Sequence, residues 1–173
     1  MAVFNHHAIS FKISPTPKEN TSVTVDFSPI PLLQHGFNLP VEISTATVFR
    51  ESPLSFPLSS MVVMAHFDTG ASSTSIDINL AKHMDLLVLG QKEVRTAAGK
   101  RILPNFAVDI SFLNTKLSPF YNLPVGSCDL GFILEPEKSQ LKPQNMGLLL
   151  GRDIMSKWNI IWNGHTSTVI ISD

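Results

Sequence analysis

Apolar and polar residues alternate over short stretches of the chain, a two-residue period that puts every second side chain on one face of a strand. TSVTVDF (21–27) and LPVEISTATVF (39–49) follow this period and are rich in β-branched residues. NFAVDISFL (105–113) does so too, with Phe106, Val108, Ile110 and Phe112 on one face. MVVMAHF (61–67) is nearly continuous and reads as a strand buried on both faces, and MGLLLG (146–151) as a second buried strand. SSTSIDI (72–78) and DLGFIL (129–134) are further strand candidates. VRTAAGKRIL (94–103) is a hairpin pattern with glycine at its tip. NIIWN and TSTVIIS form a last pair of strands joined at Asn163-Gly164, a turn dipeptide. Helical spacing occurs twice. INLAKHMDLL (78–87) puts Leu80, His83/Met84 and Leu87 on one side, with Asp77 or Asn79 as cap, and RDIMSKW (152–158) is a second short helix. RESPLSFPLSS (50–60) and EPEKSQLKPQN (135–145) carry two prolines each and read as loops. Roughly ten strands with two short helices predict an all-β chain, barrel-like or sandwich-like.

Composition narrows the function classes. At 173 residues the chain holds one domain with a true core. No internal repeat is present; residues 31–173 form the predicted domain, and residues 1–30 an N-terminal arm or extra strand. The net charge of -1 and scattered basic residues argue against a nucleic-acid or acidic-membrane partner. Lys100-Arg101, the longest basic cluster, reads as a solvated turn. No stretch approaches the ~20 apolar residues that span a bilayer. The first residues lack the charged and apolar regions of a signal peptide. One cysteine, Cys128, excludes an internal disulfide framework and permits a reducing compartment, so a cytoplasmic location is expected. Cys128 precedes an apolar run and reads as a buried, inert thiol. His6 and His7 are adjacent, point in different directions and have no Cys, Asp or Glu at ligand spacing, so no metal site is expected.

Chemistry concentrates in FDTGAS (67–72), directly after an apolar strand. A carboxylate there is costly unless something satisfies or uses it. Asp68 can hold or take a proton. Gly70 allows a tight turn whose N–H reaches the carboxylate, Thr69 offers a hydroxyl to a neighbouring chain, and Ala71 and Ser72 are small enough for close packing. A plain β-turn is the competing reading of these residues. LLLGRDI (148–154) repeats the design, an apolar strand followed by Gly151 and a charged pair opening a helix. Asp153 meets the helix dipole favourably, and Arg152 offers a rigid fork for a carboxylate, suited to brace the loop or a subunit interface.

MVVMAHFDTGASST followed by LLLGRDI, with Gly151 placed 83 residues after Asp68, resembles the retropepsin-like aspartic proteases, the single-domain relatives of the retroviral enzymes. HGFNLPVEIS resembles the family's first hairpin, SIDINLAKHMDLL the segment after its active-site loop, and RTAAGKRI the base or tip of its flap. The resemblance covers about residues 35 to 173; the first 30-odd residues and the 50–60 stretch have no counterpart in it.

The resemblance implies a closed barrel-like half enzyme with one or two short helices, in which two chains each supply one catalytic Asp. The chain carries one D-[ST]-G, at Asp68, so the implied active form is a homodimer. Two carboxylates a few Å apart share a proton; one activates a water and the other protonates the scissile carbonyl oxygen. Catalytic roles fall on Asp68, on Thr69 bonding across the dyad axis, and on Gly70 for backbone approach. Ala97, Ala98 and Gly99 are the implied flap residues over a peptide or protein substrate bound as an added strand. No aromatic lies in that stretch, a departure from the family. Ala71, Gly151, Arg152 and Asp153 support the loop. No cofactor, metal, nucleic acid or membrane is implied. His66 stands where the family usually has an aliphatic residue; it reads as a hydrogen-bonded structural histidine, against a pH-sensitive neighbour of the dyad. The closing run TSTVIISD is predicted to serve in the dimer sheet as an otherwise uncovered edge. A second class of function is a catalytically weak dimerisation or peptide-binding module on the same fold. A third is a processing domain excised from a polyprotein.

Overall fold

The computed structural model describes residues 8–12, 36–50, 58–96, 99–132, 146–165 and 168–173. The strand read at 21–27, the loops at 51–57 and 135–145, the adjacent histidines, Ala97 and Ala98 lie outside these residues.

Ten strands and three short helices are described. In chain order they are β1 (Ala8–Lys12), β2 (Asn38–Thr45), α1 (Thr47–Arg50), β3 (Ser60–Phe67), β4 (Ser75–Asp77), α2 (Ile78–His83), β5 (Gly90–Thr96), β6 (Gly99–Phe112), β7 (Phe120–Cys128), β8 (Met146–Leu150), α3 (Arg152–Met155), β9 (Asn159–Asn163) and β10 (Thr168–Ser172). Six strands run in the order β2-β3-β8-β4-β7-β6, and β6 pairs back onto β2. The sheet is therefore a closed, mixed barrel with β3–β8 and β4–β7 parallel and the other neighbours antiparallel. Closure removes the edges that an open sheet would expose. The first half of β6 continues past the barrel and pairs with β5 as a hairpin. A separate sheet of order β1-β10-β9 completes the chain.

The barrel closes over side chains from alternate positions. Val41, Ile43, Val63, Ala65, Ile76, Val108, Ile110 and Leu148 are all buried. Phe106, Val108, Ile110 and Phe112 are buried, as their spacing predicts. An aromatic cluster fills one end. Trp158 stands 5.0 Å from Phe112, 5.8 Å from Phe120 and 6.0 Å from Phe67 between ring centres, and Phe37 is 4.5 Å from Phe67. Such pairs add roughly 0.5–1.5 kcal/mol each beyond their buried area.

Several local readings change. The strand read at 39–49 stops at Thr45, and α1 follows. Buried Asp109 is the reason: its carboxylate accepts from Thr47 N (3.2 Å), Thr47 Oγ1 (2.6 Å), Arg50 Nη2 (2.9 Å) and Asn122 N (2.8 Å), which wraps the chain around one charge. β3 is buried on one face only, since Val62 is exposed while Val63, Ala65 and Phe67 are buried. Residues 129–132 are not a strand. Gly131 has φ 74°, and Leu130 N and Phe132 N both donate to Asp77 Oδ2, so the backbone bonds to a side chain instead of a ladder. The strand in that region is β7, whose Pro124 and Asn122 hid it in the sequence. Asp77, not Asn79, caps α2, accepting from Asn79 N and Leu80 N. The closing strand β10 is central in its sheet, with β1 on one side and β9 on the other, so it is not the free edge its apolar sequence suggested.

Candidate active site

Asp68 sits where β3 leaves the barrel beside its parallel neighbour β8. The strand delivers it rigidly. Phe67 N donates to Phe37 O and Asp68 N to Leu150 O, both at 3.0 Å. The chain then turns, with Ala71 N donating to Asp68 O at 3.1 Å. Gly70 N donates to Asp68 Oδ1 at 2.8 Å, which fixes the plane of the carboxyl group. Among the described residues Oδ2 has no hydrogen-bond partner, and the residue is half-exposed. Thr69 is exposed, and its hydroxyl likewise meets no partner among them.

Residues from the other end of the chain hold this turn. Arg152 N donates to Ala71 O at 3.0 Å, and Arg152 Nη1 to Thr69 O at 3.2 Å. Arg152 therefore braces a loop carbonyl, not a carboxylate. Asp153 does more than face the start of α3. It accepts from Thr74 N (2.9 Å to Oδ2), from Thr74 Oγ1 (2.8 Å) and from Ile154 N (2.9 Å). Thr74 Oγ1 in turn accepts from Gly151 N at 3.1 Å. Gly151 is needed for space. Its φ of -91° suits any residue, but a Cβ there would lie 2.4 Å from the carbonyl carbon of Ser73. The turn after β3 and the turn after β8 are thus pressed together backbone against backbone. Ala71, Gly151, Arg152 and Asp153 all take part in the contacts between the two turns.

Thr74 is the residue that sequence reasoning missed. It is fully buried and ties both turns together, yet SSTS offers no pattern that separates it from its serine neighbours.

His66 makes a 2.7 Å hydrogen bond from Nδ1 to Asn38 Oδ1 across β2. Gly36, with φ 64°, packs so close that a Cβ would stand 2.7 Å from His66 Cε1. The ring is a structural histidine that pins the strand entering the barrel. The β5–β6 hairpin carries Gly99, exposed and at φ 110°, paired with Thr96 across the two-residue connection 97–98. An exposed Glu93–Lys100 ion pair of 2.8 Å spans its strands.

Cys128 lies apart from these groups. Its thiol donates weakly to Ile76 O at 3.9 Å, and burial, with Asp77 and Asp129 nearby, pushes it up to about 12. Cys128 is half-buried, not fully buried as its sequence setting suggested, and its thiol stays protonated at neutral pH. Among the described residues no cluster of His, Cys, Asp or Glu is arranged to hold a metal ion, and no helix is long and apolar enough to cross a membrane.

No protein-family model matches the chain, and no curated protein does. Solved structures do. The chain is similar to retropepsin-like aspartic proteases. A retropepsin-like aspartic protease from Rickettsia conorii aligns over 99% of this chain and 97% of its own, with 12% identity and a TM-score of 0.47. The retroviral protease-like domain of Ddi1 from Leishmania major aligns over 72% of this chain and 80% of its own, with 14% identity and a TM-score of 0.38. The chemistry of the site rests on its own residues.

Proposed function

We propose that the chain is one half of a homodimeric aspartic endopeptidase that hydrolyses peptide bonds flanked by apolar side chains. The observation that carries this reading is the state of Asp68: its plane is held by Gly70 N while its second oxygen has no partner among the described residues. A carboxylate fixed on one side and open on the other is placed to act on something brought to it, and a pure scaffold has no use for it.

A second copy supplies the other carboxylate. The two groups share one proton. The ionised member takes a proton from a bound water, which attacks the scissile carbonyl, and the protonated member donates to the carbonyl oxygen as charge develops there. Thr69, exposed beside the turn, donates its hydroxyl to the facing loop of the second copy. Substrate lies extended below the β5–β6 hairpin, which contributes strand-type hydrogen bonds and excludes water on closing.

Asp68→Asn is the test. The variant keeps the Gly70 hydrogen bond, folds and dimerises like the wild type, and loses cleavage of a peptide library assayed from mildly acidic to neutral pH. Cleavage at the wild-type rate by Asp68→Asn rejects the assignment. A wild type that binds library peptides without cutting them points instead to a peptide-binding module.

A further inference from the structure

His66 uses one ring nitrogen for the fold and leaves the other unused. Nδ1 lies 2.7 Å from Asn38 Oδ1. A side-chain carbonyl oxygen only accepts, so Nδ1 carries the hydrogen and Nε2 of the neutral ring is an acceptor. Among the described residues Nε2 has no partner, whereas every buried side-chain nitrogen and oxygen there has one. Nε2 is therefore open to solvent. The ring that carries it is held in place by the bond to Asn38 on β2 and by its packing on Gly36. Val63, Ala65 and Phe67 are buried, so His66 lies on the opposite face of β3, where it is half-buried. Asp68 N bonds Leu150 O, which carries the β3–β8 ladder on to residue 68. Residues two apart in a strand share a face and stand about 6.6 Å from each other. Across that face His66 pairs with Asn38 of β2 and Leu149 of β8, and both are half-buried as well. Beside the open carboxyl group of Asp68 there is thus a surface with one apolar wall, Leu149, and one fixed acceptor, His66 Nε2.

We infer that His66 selects the substrate side chain next to the bond that Asp68 cleaves, favouring an apolar body that ends in a hydrogen-bond donor, as tyrosine does. The inference rests on the endopeptidase reading and narrows its substrate class. The apolar body packs on Leu149 while the donor meets Nε2. An aliphatic or phenyl side chain covers Nε2 and leaves it without a partner, which costs the desolvation of that atom. A carboxylate side chain sets an acceptor against an acceptor and is rejected. A second copy presents the same face on the other side of the bond, so the preference applies on both flanks. One hydrogen bond to a group that is otherwise hydrated gives about 3–10-fold in kcat/KM for Tyr over Phe.

Paired peptides that differ only in Tyr or Phe beside the scissile bond, and a second pair with Gln or Met there, test this with the wild type, Asp68→Asn, His66→Asn and His66→Gln. The two histidine variants divide the roles of the ring. An asparagine amide nitrogen takes the place of Nδ1, and a glutamine side-chain oxygen reaches the place of Nε2. His66→Asn therefore keeps the bond to Asn38, melts above His66→Gln, and cleaves Tyr and Phe peptides at equal rates. His66→Gln loses the bond to Asn38 and melts lower, yet still favours Tyr over Phe and Gln over Met. A histidine that only braces the fold moves the melting temperature and leaves the Tyr/Phe ratio where it was. A wild type without preference, or a ratio unchanged in His66→Asn, overturns the role of His66 and leaves the Asp68 reading standing where Asp68→Asn is inactive. Cleavage by Asp68→Asn at the wild-type rate, or a wild type that cuts none of the four peptides, overturns both.

Discussion

Replacing Gly151 by alanine isolates the backbone contact that seats the Asp68 turn. The added methyl would lie 2.4 Å from Ser73 C, 2.7 Å from its O and 2.8 Å from its Cα, where ordinary contact begins at 3.4 Å. All three atoms are backbone, so relief requires the two turns to part by about 1 Å. Overpacking of this kind costs ~1–3 kcal/mol. Stretching the Gly151 N–Thr74 Oγ1 bond adds about 1 kcal/mol. The backbone itself is compatible with alanine at φ -91°, so the stiffer unfolded chain returns about 0.4–1 kcal/mol. The net loss is about 1–3.5 kcal/mol, and for a chain of this size it lowers Tm by about 2–14 °C. Urea denaturation and thermal melting measure it, with Gly90→Ala as control, since a Cβ there meets nothing within 4 Å. Gly151→Ala as stable as Gly90→Ala, within ~0.5 kcal/mol, would refute the close approach of the turns.

Two further outcomes follow from the same geometry. Thr74→Val removes the hydroxyl that bonds Asp153 and Gly151 N, and costs about 2 kcal/mol in urea denaturation. Thr74→Ser restores most of it, and equal stability of Val and Ser at this position would deny the network its role. Cys128 ionises near 9 in the unfolded chain and about 12 in the folded one, so its neutral thiol supports the fold fully below pH 9 and that support drains away as pH rises toward 12. The wild type therefore loses stability more steeply across this window than Cys128→Ala. At pH 8 the folded thiol reacts with a disulfide reagent more slowly than the unfolded one, and equal rates would contradict the raised pKa.

What the sequence disclosed depended on how far apart the interacting residues lie. Asp68, Gly70, Gly151, Arg152 and Asp153 stand in two short motifs whose residue types declare their chemistry. The alternating strand at 105–113 was legible for the same local reason. Asp109 was not, because the partners that bend the chain into α1 come from residues 47, 50 and 122, and only the folded barrel collects them. β7 was hidden by Pro124 and Asn122, which local propensity counts against a strand and a partner strand tolerates. DLGFIL failed in the opposite sense, because Asp77 captured the backbone donors that a ladder would have used. The misread free edge at the C-terminus reflects composition without pairing: TVIIS is apolar because it is central, not because it is bare.

The parallel union of β3 with β8 has a consequence for biosynthesis. Thr74 and Asp153 are 79 residues apart, and the bonds from Gly151, Arg152 and Asp153 that hold the Asp68 turn come from the far side of that interval. A nascent chain that has released FDTGAS but not yet its GRD segment has the local bonds of the turn and lacks the braces from residues 151–153. The braced form of this turn is therefore completed only once residues 151–153 have emerged from the ribosome.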